Sequence, residues 1–408
     1  MQTTRADPVP SGAIRLTSPP PLALYVHLPW CVRKCPYCDF NSHELRSPSG
    51  AARSLDPELE RRYVAALLAD LDAATPLVEG RTVHTVFFGG GTPSLLSAAG
   101  LDALLAGIAL RLRLAADAEI TLEANPGTFE VEKFAAYRAL GVNRLSVGIQ
   151  SFQPAHLSAL GRIHDAGEAF RAVEIARASF DNFNLDLMYA LPGQTLAGAQ
   201  ADIDRAIAAA PPHLSAYHLT VEPNTYFHRF PPKLPDDELA AAMQESIEER
   251  LAAAGYGHYE TSAFARAGRE CRHNLNYWRF GDYLGIGAGA HGKLSFAQRI
   301  LRQRRWRNPR DYMDQALAGN AVQGIEEVGA EDLPFEFMMN ALRLTAGFPV
   351  SMFRERTGLA FAALLPALRR AESLGLLQFD RRNVAPTLRG QRFLNDLLQL
   401  FLPEKASG

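Results

Sequence analysis

Cysteine is scarce in this chain: four in 408 residues. That excludes a disulfide scaffold and points to a reducing compartment, the cytoplasm. No apolar run is long enough to span a bilayer. The first 21 residues have no apolar signal core. Pro8, Pro10 and Pro19 to Pro21 block a helix there, so residues 1–21 read as a disordered tail; its few arginines leave room for an organelle transit segment. An excess of one charge is also missing. Lys and Arg number 42 and Asp and Glu 44, a formal net charge of −2, so no global field draws the chain to nucleic acid or anionic lipid. What is plentiful is apolar: 47% of the residues are hydrophobic, enough for a large buried core.

From residue 22, apolar runs alternate with helical stretches. "LALYVHL", "VHTVFFGG", "EITLEANP", "RLSVGIQS", "NLDLMYALPG" and "HLSAYHLTVEP" have the pattern of buried strands, each followed by helical sequence. Six βα units in succession predict a parallel sheet with right-handed crossovers, either open and doubly wound or an incomplete barrel. Unusual residues gather at the strand C-terminal ends. Cysteines follow the first strand and Gly89 to Gly91 end the second. Glu123 and Asn125 end the third, Gln150 the fourth and Asp186 the fifth. Parallel α/β proteins build their sites on that rim, so five strands predict one shared site. Further on, "HYETSAFA" reads as a strand. From Pro334 the chain reads as helical, and "LLQFDRRNVAPT" as two short strands around a turn, a winged-helix-like unit. Residues 22–324 are therefore expected to form the core with an extension, and 325–408 a smaller C-terminal domain and tail.

Three of the four cysteines, Cys31, Cys35 and Cys38, lie within "HLPWCVRKCPYCDF" at C-x3-C-x2-C spacing. Such thiolates can converge on one centre. Zinc would need a fourth ligand, from His27, His43 or Cys271. A 4Fe–4S cluster would take three thiolates and keep one iron open. The spacing does not choose between them; the neighbours do. Three cysteines after the first strand of a βα series, with an aromatic before the last and GGG ending the second strand, resemble the radical S-adenosylmethionine (SAM) superfamily. "YVHLPWCVRKCPYCDFNSH", "FFGGGTPSLL", "LEANPG", "RLSVGIQSF", "LGRIHDAGEA", "NLDLMYALPGQT" and "HNLNYWRFGDYLGIGAGAHG" narrow the likeness. In this order they resemble the oxygen-independent coproporphyrinogen III oxidase family, and within it the haem chaperone branch.

The resemblance implies a partial six-unit (βα) barrel of the radical SAM type. It implies that Cys31, Cys35 and Cys38 hold a 4Fe–4S cluster whose open iron binds SAM. Tyr25, Tyr37, Gly90, Gly91, Thr92, Glu123, Gln150, Arg162 and Asp186 would then contact SAM, Tyr37 near the adenine and Arg162 on the carboxylate. One position departs from the oxidases, which carry a further cysteine two residues after the third; here it is Phe40. That favours haem as cargo over oxidative decarboxylation of coproporphyrinogen III, the alternative function. The H-N-x-x-Y-W motif of the chaperone branch makes His273 the candidate axial haem ligand, with Cys271 as rival and Tyr277 and Trp278 as aromatic packing. The implied partners are haem, an electron donor for the cluster, and haem acceptors such as respiratory enzymes, membrane-associated ones included. Finally, six arginines surround Trp306 between Arg299 and Arg310. They read as a solvated edge strand, with propionate binding by one or two of them as a further option; nucleic acid is not an expected partner.

Overall fold

The computed structural model describes residues 14–45, 54–128 and 131–403. The predicted strands form as β1 (Leu22–Leu28), β2 (Thr82–Gly90), β3 (Arg113–Ala124), β4 (Arg144–Gln150), β5 (Phe183–Tyr189) and β6 (His213–His218). All five neighbouring pairs among them are parallel. β1 is buried at six of its seven positions because its run of apolar residues serves both faces of the sheet. The crossover helices are α1 (Pro57–Ala74), α2 (Ala98–Arg111), α3 (Val131–Ala139), α4 (Ala166–Ser179), α5 (Leu196–Ala208) and, after β6, α6 (Asp237–Ala253). Their starts are written locally. Asp56 accepts from the amides of Glu58 and Leu59 ahead of Pro57, and Asp165 with Glu168 forms a reciprocal capping box. The inner faces, such as Tyr63, Leu67 and Leu71 of α1, join the strands in one large core.

The sheet does not stop at six strands. "HYETSAFA" is two strands rather than one, β7 (Gly257–Glu260) and β8 (Ala263–Ala265), because the chain turns at Thr261 and Ser262. "CRHNLNYW" supplies a short helix, α7 (Arg272–Trp278). The glycine-rich stretch is β9 (Asp282–Ile286), parallel to β1 on its free side, followed by β10 (His291–Phe296). The arginine run is β11 (Arg299–Arg305), then α8 (Pro309–Leu317) and β12 (Val322–Glu327). Twelve strands thus lie in the order β12-β11-β10-β9-β1-β2-β3-β4-β5-β6-β8-β7. β11 is not the edge its charges suggested: it pairs with β10 on one side and β12 on the other. Gly285 allows β9 and β10 to meet closely, since a Cβ there would stand 1.9 Å from the His291 carbonyl oxygen.

A second core belongs to the C-terminal region: α9 (Leu333–Ala341), α10 (Val350–Thr357), α11 (Leu365–Ser373) and a small sheet of β13 (Phe348–Pro349), β14 (Leu377–Phe379) and β15 (Asn383–Pro386). Helices with a small antiparallel sheet are the expected winged-helix-like unit. The expected boundary at residue 325 falls inside β12, which stays in the main sheet, and the second core joins Val328 and later residues to Phe280 and Ile300 of the extension. The disordered tail expected to reach residue 21 lies outside the described residues up to position 13. From Ile14 the chain is packed: Ile14 and Leu16 are buried in the second core, and the Arg15 and Leu16 amides donate to Gly358 and Ala297. Two apolar side chains with a hydrophobic groove to fill outweigh the nearby prolines.

Candidate functional site

β1 delivers the cysteine loop. After Leu28 the backbone turns, and Trp30–Cys31 pairs in parallel with His43–Glu44, which closes the loop at its base. None of the four cysteines is in a disulfide, and Cys31, Cys35 and Cys38 are half-buried. Among the described residues no three His, Cys, Asp or Glu side chains converge as a single metal ion would require. A cubane does not need them to, because each thiolate binds a different iron. Burial pushes the Cys31 thiol up to about 11 and raises that of Cys38.

The glycines of β2 stand directly under this loop. The Gly91 amide donates to Leu28 and the Thr92 amide to Trp30, each at 2.7 Å. Gly90 has φ +113°, and a Cβ on it would lie 2.4 Å from the His27 ring, so only glycine fits. His27 is held between the Tyr25 hydroxyl and the Asn41 carbonyl, both at 3.0 Å.

Arg162 joins the loop to the rim. Its guanidinium donates to Asn125 Oδ1 at 2.6 Å, to the Gly148 carbonyl at 2.7 Å and toward Cys35 Sγ at 3.6 Å. Asn125 in turn donates to Thr92 Oγ1 at 2.8 Å. Asn125 is the residue to which sequence reasoning gave no role; its only signal was a polar side chain at the end of the third strand. Gln150 has φ +65° at a bulge in the β4–β5 pairing, a conformation that costs a non-glycine residue energy and is concentrated at functional rims. Tyr37 leaves the loop to pack on Phe227, with ring centroids 6.3 Å apart.

The two carboxylates differ. Glu123, near the end of β3, accepts from the Gly90 amide at 3.1 Å. Burial, then the nearby Asp186, pushes its carboxyl up to about 8. Asp186 is the fourth residue of β5 rather than its last, and it accepts from Ser146 at 2.9 Å and Asn184 at 2.8 Å. Glu123 makes a pH prediction. Its folded-state value is raised above the unfolded one, so the folded state holds the extra proton between about 4.5 and 8 and stability falls as pH rises through that window. Without SAM, Glu123→Gln should match the parent near pH 4 and be the more stable above pH 8. Urea unfolding across that range checks it; a pH-independent difference would refute it.

His273, the candidate axial ligand, lies in the first turn of α7. It is 1% exposed. Nδ1 meets Thr85 Oγ1 at 2.8 Å, Nε2 meets the Tyr277 hydroxyl at 3.1 Å, and the ring stacks on Phe87 at 4.9 Å. An iron ligand needs a nitrogen lone pair facing the iron. Both nitrogens are engaged here, so in this arrangement His273 locks α7 onto β2. Cys271 is buried as well, with its thiol raised to about 12 by burial, and Glu119 accepts from the Arg272 and His273 amides as the carboxylate at the helix start. The motif therefore anchors a helix, and it brings Tyr277 to the wall of a cavity of about 560 Å³ at the barrel mouth. Tyr25, Gly90 and Glu123 form the barrel side of this cavity, and His291, Arg304 and Arg307 the opposite side. Phe40, 64% exposed, stands at it.

The radical SAM superfamily profile matches residues 25–206, and the HemN C-terminal domain profile residues 328–393. A protein of Escherichia coli K12 named heme chaperone HemW is 50% identical over 94% of this chain and 99% of its own. Proteins of the same name from Haemophilus influenzae and Bacillus subtilis are 47% and 35% identical over 95% and 93% of this chain, and 99% of their own in each case. Among solved structures, the E. coli coproporphyrinogen III oxidase HemN, a radical SAM enzyme, matches with a TM-score of 0.78 over 94% of this chain and 90% of its own; at 24% identity that likeness speaks for the fold alone. With full-length relatives at this identity and a cysteine loop above a glycine-ended strand, the chain belongs to the HemW heme chaperone family, built on the radical SAM fold.

Proposed function

We propose that this protein binds haem and passes it to acceptor proteins, with a 4Fe–4S cluster and SAM as resident cofactors. The 50% identity over 94% of the chain to a relative named heme chaperone carries the reading. Phe40, where the oxidases have a further cysteine, supports it. The residues present fit the cofactors: Cys31, Cys35 and Cys38 would hold the cluster, which when reduced supplies an electron to SAM at its open iron. Arg162, already close to Cys35, would take the SAM carboxylate, and Glu123 its ammonium. Gly90, Gly91 and Thr92 would offer backbone groups, and Tyr25, Tyr37, Gln150 and Asp186 the remaining contacts. Cytoplasmic haem acceptors and respiratory enzymes at the membrane are the partners this role calls for. Among the described residues no helix is long and apolar enough to cross a membrane.

Anaerobically reconstituted protein should bind haem near one to one and should not convert coproporphyrinogen III to protoporphyrinogen IX with SAM and reductant. Turnover without haem binding would make it an oxidase instead. Arg162→Ala and Asp186→Ala should each weaken SAM binding by about 1–3 kcal/mol, the scale of a hydrogen bond to a charged group. SAM titration of the reduced cluster by electron paramagnetic resonance reads this; parent-like affinity in both variants would remove the rim from the SAM site.

A further inference from the structure

Behind the rim, strand register sets Ser146 of β4, Asn184 of β5 and His213 of β6 side by side, with Asp186 and Ser215 paired in the next row. Residues two apart on a strand share a face, so Asn184 and Asp186 project the same way. Asn184 is 2% exposed and His213 1%, whereas Asp186 is half-buried. Polar groups inside a sheet cost free energy unless each finds partners. Here the partners form a chain. Asn184 Nδ2 donates to Asp186 Oδ1 and to Ser146 Oγ, both at 2.8 Å. Ser146 Oγ in turn donates to Asp186 Oδ2 at 2.9 Å. Asn184 Oδ1 faces His213 Nδ1 at 2.7 Å and accepts from Ser215 at 3.1 Å. His213 Nε2 meets the Tyr259 hydroxyl of β7 at 2.8 Å, and that oxygen accepts from the Cys271 amide at 3.2 Å.

The carboxylate end fixes the direction of every proton. An ionised Asp186 only accepts, so Asn184 turns its amide nitrogen to it and its oxygen to His213. His213 therefore donates from Nδ1 and keeps a lone pair on Nε2 for the Tyr259 hydroxyl. Burial, with Arg144 of β4 adding to it, holds the ring neutral. Asn184 thus spends both donors and both lone pairs, and has no freedom to turn. An ionised carboxylate has about four acceptor sites, so these donors leave Asp186 room for a ligand's hydroxyl or ammonium. A fully satisfied buried network of this kind rigidifies the group at its end.

We propose that Asn184 and His213 are positioning residues of the SAM site, which fix the Asp186 carboxylate toward SAM without touching SAM themselves. The inference rests on the SAM contact proposed above for Asp186. Asn184 holds one carboxylate oxygen and Ser146 the other, and their hydrogen bonds offset the burial that raises the Asp186 carboxyl. His213 holds Asn184 in the orientation that makes this possible.

The full-length, cluster-bearing protein is reduced, titrated with SAM and followed by electron paramagnetic resonance. Asn184→Ala should weaken SAM binding roughly tenfold, as loss of a hydrogen bond to a charged group does. His213→Leu should weaken it too, whereas His213→Asn, whose amide nitrogen falls near the place of Nδ1, should recover most of the affinity. A double-mutant cycle separates positioning from general support of the fold. If Asn184 acts through Asp186, adding Asn184→Ala to Asp186→Ala should cost no further affinity. Cluster content and urea midpoints identify any variant that does not fold; if Asn184→Ala is one, the His213→Leu and His213→Asn pair answers the same question. Parent-like SAM binding in Asp186→Ala removes the contact on which the inference rests. If Asp186→Ala weakens SAM binding but Asn184→Ala does not, or if the two losses add, the positioning role of Asn184 is overturned. Equal losses in His213→Leu and His213→Asn overturn that of His213.

Discussion

Alanine at Cys35 is expected to leave reconstituted protein without its cluster, whereas alanine at Cys271 should leave about four irons and four sulfides per chain. Cys31, Cys35 and Cys38 share one loop closed at its base by a two-residue parallel bridge, so each supplies a thiolate the others cannot replace. Of the three, Cys35 has the Arg162 guanidinium 3.6 Å from its sulfur. Cys271 sits far along the chain at the start of α7, 1% exposed, with its Sγ 3.7 Å from a Glu119 oxygen. It packs beneath the motif helix and cannot swing to the loop without unseating that helix. Iron and sulfide analysis after anaerobic reconstitution checks this. A cluster that persists without Cys35, or that disappears with Cys271, would sink the three-thiolate assignment.

Asp70→Ala should destabilise the fold by about 3–5 kcal/mol, the cost of leaving a buried charge without its partner. Asp70 on α1 is 1% exposed and Arg305 on β11 fully buried. The carboxylate accepts from Arg305 at 3.1 Å, from the Tyr312 hydroxyl of α8 at 2.9 Å and from the Gly287 amide after β9 at 3.3 Å. One side chain thus ties the barrel to three parts of the extension. Without it the guanidinium keeps Gln303, whose Oε1 accepts at 2.9 Å, as its remaining polar partner. Adding Arg305→Met should recover much of the loss, since an apolar side chain of similar size needs no counter-charge. Urea midpoints at constant slope give both values. A single variant within 1 kcal/mol of the parent, or a double variant no better than the single, would show that the pair does not bind the extension to the barrel.

The part of the site that depends on local sequence was legible before any coordinates. C-x3-C-x2-C after an apolar strand predicts a thiolate loop, and a glycine run ending the next strand marks a close backbone approach, although the His27 ring that makes glycine necessary at Gly90 is visible only in the fold. The six βα units were readable for the same reason: a strand buried on both faces is a continuous apolar run, and capped helices such as α1 and α4 carry their start signals within a few residues. The extension was not readable in this way. Nothing in "GDYLGIGAGAHG" says that β9 will lie beside β1, 260 residues earlier, and short glycine-containing strands carry weak periodicity.

The sequence alone determined the chemistry available to this protein: three clustered thiols, a glycine-ended strand, two rim carboxylates and a row of six arginines, since residue types and spacings are local facts. Only the tertiary structure decided which of them face what. Cross-strand register put His291 beside Arg304 on the cavity wall and turned Arg305, one residue on, into the interior against Asp70. Packing of α7 on the sheet gave His273 two hydrogen-bond partners, Thr85 and Tyr277. A histidine or an arginine reads the same in sequence whether its polar atoms are spent or free, and which it is depends on neighbours tens or hundreds of residues away.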